Sequence, residues 1–96
     1  MNRPMLLQVI PTDDFNVYLY YDNGEIKKYD CSWVLNETGV FEEIHDITAF
    51  KDLCTIMNNT LAFDISKTRD PYRCIDICPD TVYNESTKCY KDILSA

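Results

Sequence analysis

The sequence predicts an α+β domain: a small, mostly antiparallel sheet of four to five strands, one main helix near residues 46–54 and room for a C-terminal helix. Three observations lead to this fold class. Apolar and polar residues alternate over 15–21 and an Asn-Gly pair follows, apolar residues recur at helical spacing over 46–54, and a second strand-turn-strand pattern occupies 55–66. The 96 residues are enough for one domain, which we place at 1–86, with 87–96 as a tail of weak helical spacing.

The first half of the chain reads as three strands. The segment "MLLQVIP" (5–11) is a short apolar run that ends at a proline. In "FNVYLYY" (15–21) the apolar residues fall on one face and Asn16 and two tyrosines on the other, which is typical of a strand covered on both sides. Asn23-Gly24 is a strong hairpin signal because both residues tolerate positive φ, so "EIKKYD" (25–30) is the returning strand.

The middle of the chain changes from loop to helix and then to a hairpin. The segment "CSWVLN" (31–36) is a short turn, and "TGVFEEI" (38–44) is a loop in which Val40, Phe41 and Ile44 are apolar anchors. Asp46 can cap a helix whose apolar residues are Ile47, Phe50, Leu53 and Cys54. The Asn58-Asn59 pair is then the turn of a second hairpin.

The closing segment "CIDICPDTVY" (74–83) is predicted to be extended. Ile75 and Ile77 share one face, and Cys78 acts as a small buried apolar residue. Pro79 ends the strand, Asp80 opens a turn, and Val82 and Tyr83 fold back onto the core, with Tyr83 as a buried anchor.

Composition and charge exclude several function classes. Sixteen acidic and nine basic side chains give a net charge of −7, so a general nucleic-acid binder, which needs a basic footprint, is not expected. No apolar run approaches the roughly 20 residues that span a bilayer, and the first apolar run is too short for a secretion signal. Five scattered cysteines then indicate reduced thiols in the cytoplasm.

Neither a metal site nor a catalytic site is predicted, and no cofactor is implied. Cys74 and Cys78 lack the second close pair that structural zinc requires. His45 stands between Glu43 and Asp46 and could act as a general base, but no companion groups are recognisable, so we expect a solvated side chain. The acids Asp76, Asp80 and Glu85 lack the dense ligand spacing of a calcium loop and are read as a solvated rim.

An aromatic stripe is the candidate partner-binding surface. It consists of Tyr18, Tyr20, Tyr29 and Trp33. If exposed, these residues would form a site for a protein partner or a second copy of the chain, because tyrosine and tryptophan dominate interface energetics. If buried, they are the second face of the sheet against the helix, which is the reading we favour because a small sheet needs a cover.

The order of these segments resembles a known family, the small bacterial domain-of-unknown-function family 2442. The motifs that carry the resemblance are "VIP" (9–11), "YDNGE" (21–25) with "YD" (29–30), "GVFEEIHD" (39–46), "LAFD" (61–64) and "DICPDTVY" (76–83). The resemblance covers residues 5 to about 86. It departs from the family in Phe63, where tryptophan is frequent, and in a longer connection at 64–73. It implies an intracellular module and carries over no catalytic residues.

The predicted function is therefore a non-catalytic intracellular binding or regulatory module with an unidentified protein partner. One alternative is an acidic inhibitor or antitoxin-like protein that occupies the basic site of a nucleic-acid-handling partner. A second alternative is a small enzyme that uses His45. Acids clustered on one face would favour the inhibitor, and a deep pocket around His45 would favour the enzyme.

Overall fold

A computed structural model describes residues 3–68 and 74–89. The strands are β1 (Leu6–Pro11), β2 (Asn16–Tyr21), β3 (Ile26–Asp30), β4 (Cys54–Met57), β5 (Thr60–Phe63), β6 (Ile75–Asp76) and β7 (Thr87–Cys89). The α-helices are α1 (Ile47–Leu53) and α2 (Pro79–Glu85), and two 3₁₀ helices span Ser32–Asn36 and Gly39–Ile44. The α+β class is confirmed. The described strands form two antiparallel sheets instead of one, in the orders β1-β2-β3-β7 and β4-β5-β6.

The hairpins that join β1, β2 and β3 have the same three-residue loop. The β2–β3 loop is closed by the Tyr21 amide, which donates to the Glu25 carbonyl at 3.0 Å, and only Gly24 has a positive φ, of 89°. The predicted hairpin between strands at 15–21 and 25–30 is therefore confirmed, but Gly24 alone, and not Asn23, takes a positive φ. A type I turn followed by one left-handed residue is the usual form of such a loop.

Phe15 occupies the corresponding left-handed position in the β1–β2 loop. Its φ is 63°, a value that is strained for a bulky side chain. Its ring packs against Phe50 with the ring centroids 4.9 Å apart, and its carbonyl accepts a hydrogen bond from the Cys31 amide at 2.9 Å. These contacts of the ring and the carbonyl offset the backbone strain that glycine would avoid.

The second hairpin and the main helix follow the sequence closely. Asn58 and Asn59 have φ values of 54° and 63°, which are the two left-handed residues of a tight hairpin turn, and the predicted Asn-Asn turn is confirmed. The helix predicted near 46–54 is α1, and the Asp46 carboxylate accepts from the Thr48 amide at 3.4 Å as its N-cap.

The core lies between the inner face of the larger sheet, the smaller sheet and the helices. On β2 the inward positions are Val17, Leu19 and Tyr21, as the alternation predicts. Phe50 of α1 contacts Phe15 on one side and Phe63 of β5 on the other, with the Phe50 and Phe63 ring centroids 5.1 Å apart. The fully buried phenylalanines Phe50 and Phe63 thus join α1 to both sheets.

The closing segment differs from its predicted extended form. After β6, Pro79 begins α2 instead of ending a strand. Proline suits the first helical turn because the amide hydrogens of that turn have no partner within the helix, so the hydrogen that proline lacks is not missed. Asp80 lies in the first turn of this helix and pairs with Arg3 at 2.7 Å. Cys78 is exposed, so its prediction as a buried apolar residue is wrong. Tyr83 is half-buried on α2.

The segment predicted as a tail contributes a strand. Residues 87–89 form β7, which pairs with Ile26–Lys28 of β3. The weak helical spacing of 87–96 therefore does not describe these three residues. Residues 90–96, with Tyr90, and 69–73 of the longer connection lie outside the described residues. In the part of the chain that the structure describes, no helix is both long and apolar enough to cross a bilayer.

Candidate functional site

The sheet divides the predicted aromatic stripe between its two faces. Tyr18 lies opposite Lys28 and is half-buried on the outer face, which it shares with Tyr20. Tyr29 lies opposite Val17, on the inner face, and is only 3% exposed. The four residues therefore do not form one surface, because the side chains of adjacent positions on a strand point to opposite faces.

Tyr29 and Trp33 form the base of a different surface. The Trp33 indole N–H donates to the Tyr29 hydroxyl at 3.1 Å. The Trp33 ring meets the Phe41 ring edge-on, with the centroids 5.5 Å apart, which joins the two 3₁₀ helices. Both rings are half-buried and pack against the core cluster. Tyr29 thus fixes the orientation of Trp33 from below without reaching the surface itself.

Two aliphatic side chains on the same pair of 3₁₀ helices are exposed to solvent. Leu35 is 43% exposed and Val40, adjacent to Phe41, is 61% exposed. Val40 was predicted to be an apolar anchor and is not one, whereas Ile44 is fully buried as predicted. We refer to Trp33, Leu35, Val40 and Phe41 together as the Trp33 patch.

His45 braces the segment that carries the Trp33 patch. Its Nε2 atom lies 2.8 Å from the Val34 carbonyl oxygen and 3.0 Å from the Glu37 carbonyl oxygen, so Nε2–H is the donor to both. The ring is half-buried, and the prediction of a solvated histidine is wrong. Among the described residues no carboxylate forms an ion pair with His45. The ring therefore links the end of the first 3₁₀ helix to the residue that follows the second.

Acidic side chains flank the residues of the Trp33 patch along the chain. From Asp30 to Phe50 the chain has five acids and no lysine or arginine. Glu37, Glu42 and Glu43 are exposed, and the Glu42 carboxylate accepts from the Gly39 amide at 3.1 Å, which fixes its position beside Val40. A cleft of about 330 Å³ beside α1 is lined by Glu43, Asp46, Asp52 and Lys67 among other residues.

The cysteines and acids that the sequence analysis weighed as metal ligands, and did not favour, form no metal cluster among the described residues. Cys74 and Cys78 flank the extended strand β6, and Cys78 lies at the start of α2. Within residues 3–68 and 74–89, no group of three or more histidine, cysteine, aspartate or glutamate side chains is placed to hold a metal ion. Asp80 is engaged by Arg3, while Asp76 and Glu85 are exposed.

The five cysteines are free thiols in contrasting environments. Burial raises the pKa of Cys54 to about 12 and raises the pKa of Cys31 further. Hydrogen bonds from the backbone amides of Thr81 and Asp80 lower the pKa of the exposed Cys78 thiol. Because the thiolate is the reactive form, Cys78 is the nucleophilic cysteine of this group of three.

We expect iodoacetamide at pH 8 to alkylate Cys78 well before Cys31 and Cys54. The lowered pKa of Cys78 leaves more thiolate at that pH, whereas the raised pKa values keep Cys31 and the half-buried Cys54 protonated, and burial also denies the reagent access to Cys31. Peptide mapping by mass spectrometry over time gives the order, and a sample in denaturant shows the intrinsic rates. Early labelling of Cys31 in the native protein would contradict the burial that we describe.

Comparison with known proteins identifies a family for this chain. A family model described as "Protein of unknown function (DUF2442)" matches residues 6–88, from the first residue of β1 into β7. No curated protein and no solved structure matches the chain. The matched range contains every residue of the Trp33 patch, together with Tyr29 and His45.

Proposed function

The chain belongs to the DUF2442 family, whose description assigns no activity, and we propose from the geometry of its surface that it is a non-catalytic protein-binding module. The observation that carries this proposal is the pair of exposed aliphatic residues, Leu35 and Val40, on the two 3₁₀ helices that the Trp33–Phe41 contact joins. Tryptophan is enriched among the residues that supply most of the binding energy in interfaces.

The bracing of the Trp33 patch supports a binding role. The hydrogen bond to Tyr29, the edge-on contact with Phe41 and the two bonds from His45 hold the segment in one conformation. A surface that is already ordered loses less conformational entropy when it binds. Tyr29 was a candidate contact residue in the sequence analysis, and in this proposal it positions the Trp33 ring. Tyr18 and Tyr20 belong to the outer face and have no part in it.

The chemistry around His45 supports a binding module over an enzyme. A general base must reach the proton that it abstracts. Here Nε2–H donates to two carbonyl oxygens, so Nδ1 is the basic nitrogen, and no carboxylate among the described residues forms an ion pair with the ring that would stabilise its protonated form. The cytoplasm is the compartment we propose, because all five cysteines are free thiols.

The acidic inhibitor is the second candidate function. It is favoured by the five acids from Asp30 to Phe50, a stretch with no lysine or arginine. An inhibitor of this kind is a binding module that covers the basic nucleic-acid-binding site of its partner.

The matched pair Val40→Ser and Leu7→Ser tests the binding proposal. The two residues are 61% and 59% exposed, but Leu7 lies on β1, at the end of the sheet away from Trp33. The tagged protein is isolated from its own cells, and the protein that copurifies is identified, purified and titrated against each variant. We expect Val40→Ser to weaken this complex by about tenfold, as expected for an interface residue worth about 1.4 kcal/mol, and Leu7→Ser to leave it unchanged. Equal affinities would reject the Trp33 patch as the binding surface.

A further inference from the structure

We propose that the occupant of the Trp33 patch is a segment of another protein with an apolar centre flanked by lysine or arginine side chains. This inference rests on the binding function proposed above and specifies the partner. It follows from two properties of the patch, its exposed apolar centre and the sign of the charge around it.

The apolar centre requires an apolar counterpart. Val40 and Leu35 expose aliphatic surface on the same two 3₁₀ helices that carry the half-buried Trp33 and Phe41 rings. Covering such surface is favourable in proportion to the apolar area that is removed from water. A purely polar ligand, such as a nucleic-acid backbone, would leave this surface wet and would also be repelled by the acids around it.

The charge of the rim selects a cationic flank. Glu42 and Glu43 are exposed on the second 3₁₀ helix and Glu37 is exposed directly after the first, and the sequence has no lysine or arginine between residues 30 and 50. The hydrogen bond from the Gly39 amide keeps the Glu42 carboxylate in place before a partner arrives. The positive charges of a partner would therefore meet an oriented Glu42 carboxylate and two further exposed glutamates, which speeds association and disfavours partners with acidic flanks.

The same charge argues against a second copy of this chain as the occupant. A twofold interface brings the same patch of both subunits together, so the glutamates of one rim would face those of the other. Each chain also carries a net charge of −7, and charge of one sign keeps proteins apart.

Three synthetic peptides test the proposed chemistry. The first has a Leu-Phe-Leu centre with three lysines on each side, the second has glutamates in place of the lysines, and the third keeps the lysines around a Ser-Gly-Ser centre. Trp33 is the only tryptophan of the chain, so its fluorescence reports binding at the patch itself. We expect a saturable change with the first peptide, at concentrations about tenfold lower than with either of the others.

The variants separate the apolar contribution from the electrostatic one. Val40→Ser should weaken the first peptide several-fold, whereas Leu7→Ser should leave its affinity unchanged. Glu42→Gln should weaken it less at 300 mM salt than at 20 mM, because salt screens exposed charges. Sedimentation of the free protein shows whether the chain pairs with itself.

Each outcome bears on the proposal. Tighter binding of the glutamate peptide, equal binding of the lysine peptides with apolar and polar centres, or self-association that Val40→Ser abolishes would overturn the partner chemistry. If the copurified partner is lost with Val40→Ser while no peptide changes the Trp33 signal, the binding function stands and only this inference fails. If Val40→Ser alters neither the partner nor the peptides, both proposals fail.

Discussion

Phe50→Ala should destabilise the domain by about 3–5 kcal/mol, as deletion of a buried aromatic ring typically does. The Phe50 side chain is fully buried on α1 and contacts the rings of Phe15 and Phe63. Removing it leaves a cavity where α1 meets both sheets. Small domains have about 5–15 kcal/mol of stability in total, so the variant should be close to unfolding at room temperature.

Urea denaturation followed by circular dichroism measures this loss, with two controls. Phe50→Leu keeps most of the apolar volume and should lose much less. Phe41→Ala removes a half-buried ring from the Trp33 patch and should also lose less than Phe50→Ala. A small loss for Phe50→Ala, equal to that of Phe41→Ala, would mean that α1 does not close the core as described.

The strain at Phe15 is a reason to expect the upper part of this range. Its left-handed φ of 63° is offset by the packing of its ring against Phe50. A residue held in a sparsely populated backbone region costs of order 1–3 kcal/mol and persists only where its surroundings impose it. When the Phe50 ring is absent, part of that compensation is lost as well.

Local patterns in the sequence predicted most strands and the main helix correctly. The alternation Val17, Leu19, Tyr21 identified the inner face of β2, and Asp46 with Phe50 and Leu53 identified α1. These features depend on neighbours within a few residues, such as side-chain alternation, a cap or a turn pair. Such signals are present in the sequence itself.

The register of the β2–β3 hairpin explains why the predicted aromatic stripe does not exist. A two-residue turn at Asn23-Gly24 would place Tyr29 opposite Tyr18 on the outer face. The loop at 22–24 has three residues, so Tyr29 lies opposite Val17 instead. One extra loop residue moves every side chain of the returning strand to the other face. The Asn-Gly pair is compatible with both a two-residue and a three-residue loop, so the sequence alone does not decide the register.

The Trp33 patch could be predicted only in part. The sequence indicated Trp33 as a candidate contact residue because tryptophan is frequent in interfaces. It predicted Val40 to be an apolar anchor and gave no signal that Leu35 is exposed. Segments 32–36 and 39–44 are short 3₁₀ helices without a repeating apolar pattern, so the exposed residues are decided by tertiary packing. The closing helix α2 was missed for a related reason, because a seven-residue helix that begins at Pro79 looks like the end of a strand.

The second large effect concerns Lys27, a lysine that is only 9% exposed at the centre of the larger sheet. It lies opposite Leu19 on the inner face. Its Nζ donates to the Tyr83 carbonyl oxygen at 2.5 Å and lies 3.8 Å from the centroid of the Tyr83 ring. The Tyr83 ring also packs edge-on against Tyr21, with its hydroxyl donating to Glu25. Lys27 thereby connects β3 to the last turn of α2.

We expect Lys27→Met to cost about 1.5–3 kcal/mol, the range for a hydrogen bond that involves a charged group. Methionine fills most of the volume of the lysine stem, so the loss comes from the amine and its contacts with Tyr83. The matched control is Lys28→Met on the next residue. Lys28 is half-buried on the outer face, and its Nζ lies 5.6 Å from the centroid of the Tyr18 ring, so removing it should cost about 0.5 kcal/mol or less.

This pair of variants isolates the contact from the overall charge. Each removes one positive charge from adjacent positions of the same strand and makes the net charge more negative by the same amount, so a general electrostatic effect would appear equally in both.

Lys27→Met in a Tyr83→Leu background separates the contribution of the Tyr83 ring from that of the Tyr83 carbonyl, because the carbonyl oxygen remains when the ring is removed. A smaller effect of Lys27→Met there would measure the cation–π part of the interaction. Equal losses for Lys27→Met and Lys28→Met would show that the buried amine does not hold α2 to the sheet. A larger loss of stability for Lys27→Met than for Lys28→Met would identify Lys27 as the polar link between α2 and the larger sheet.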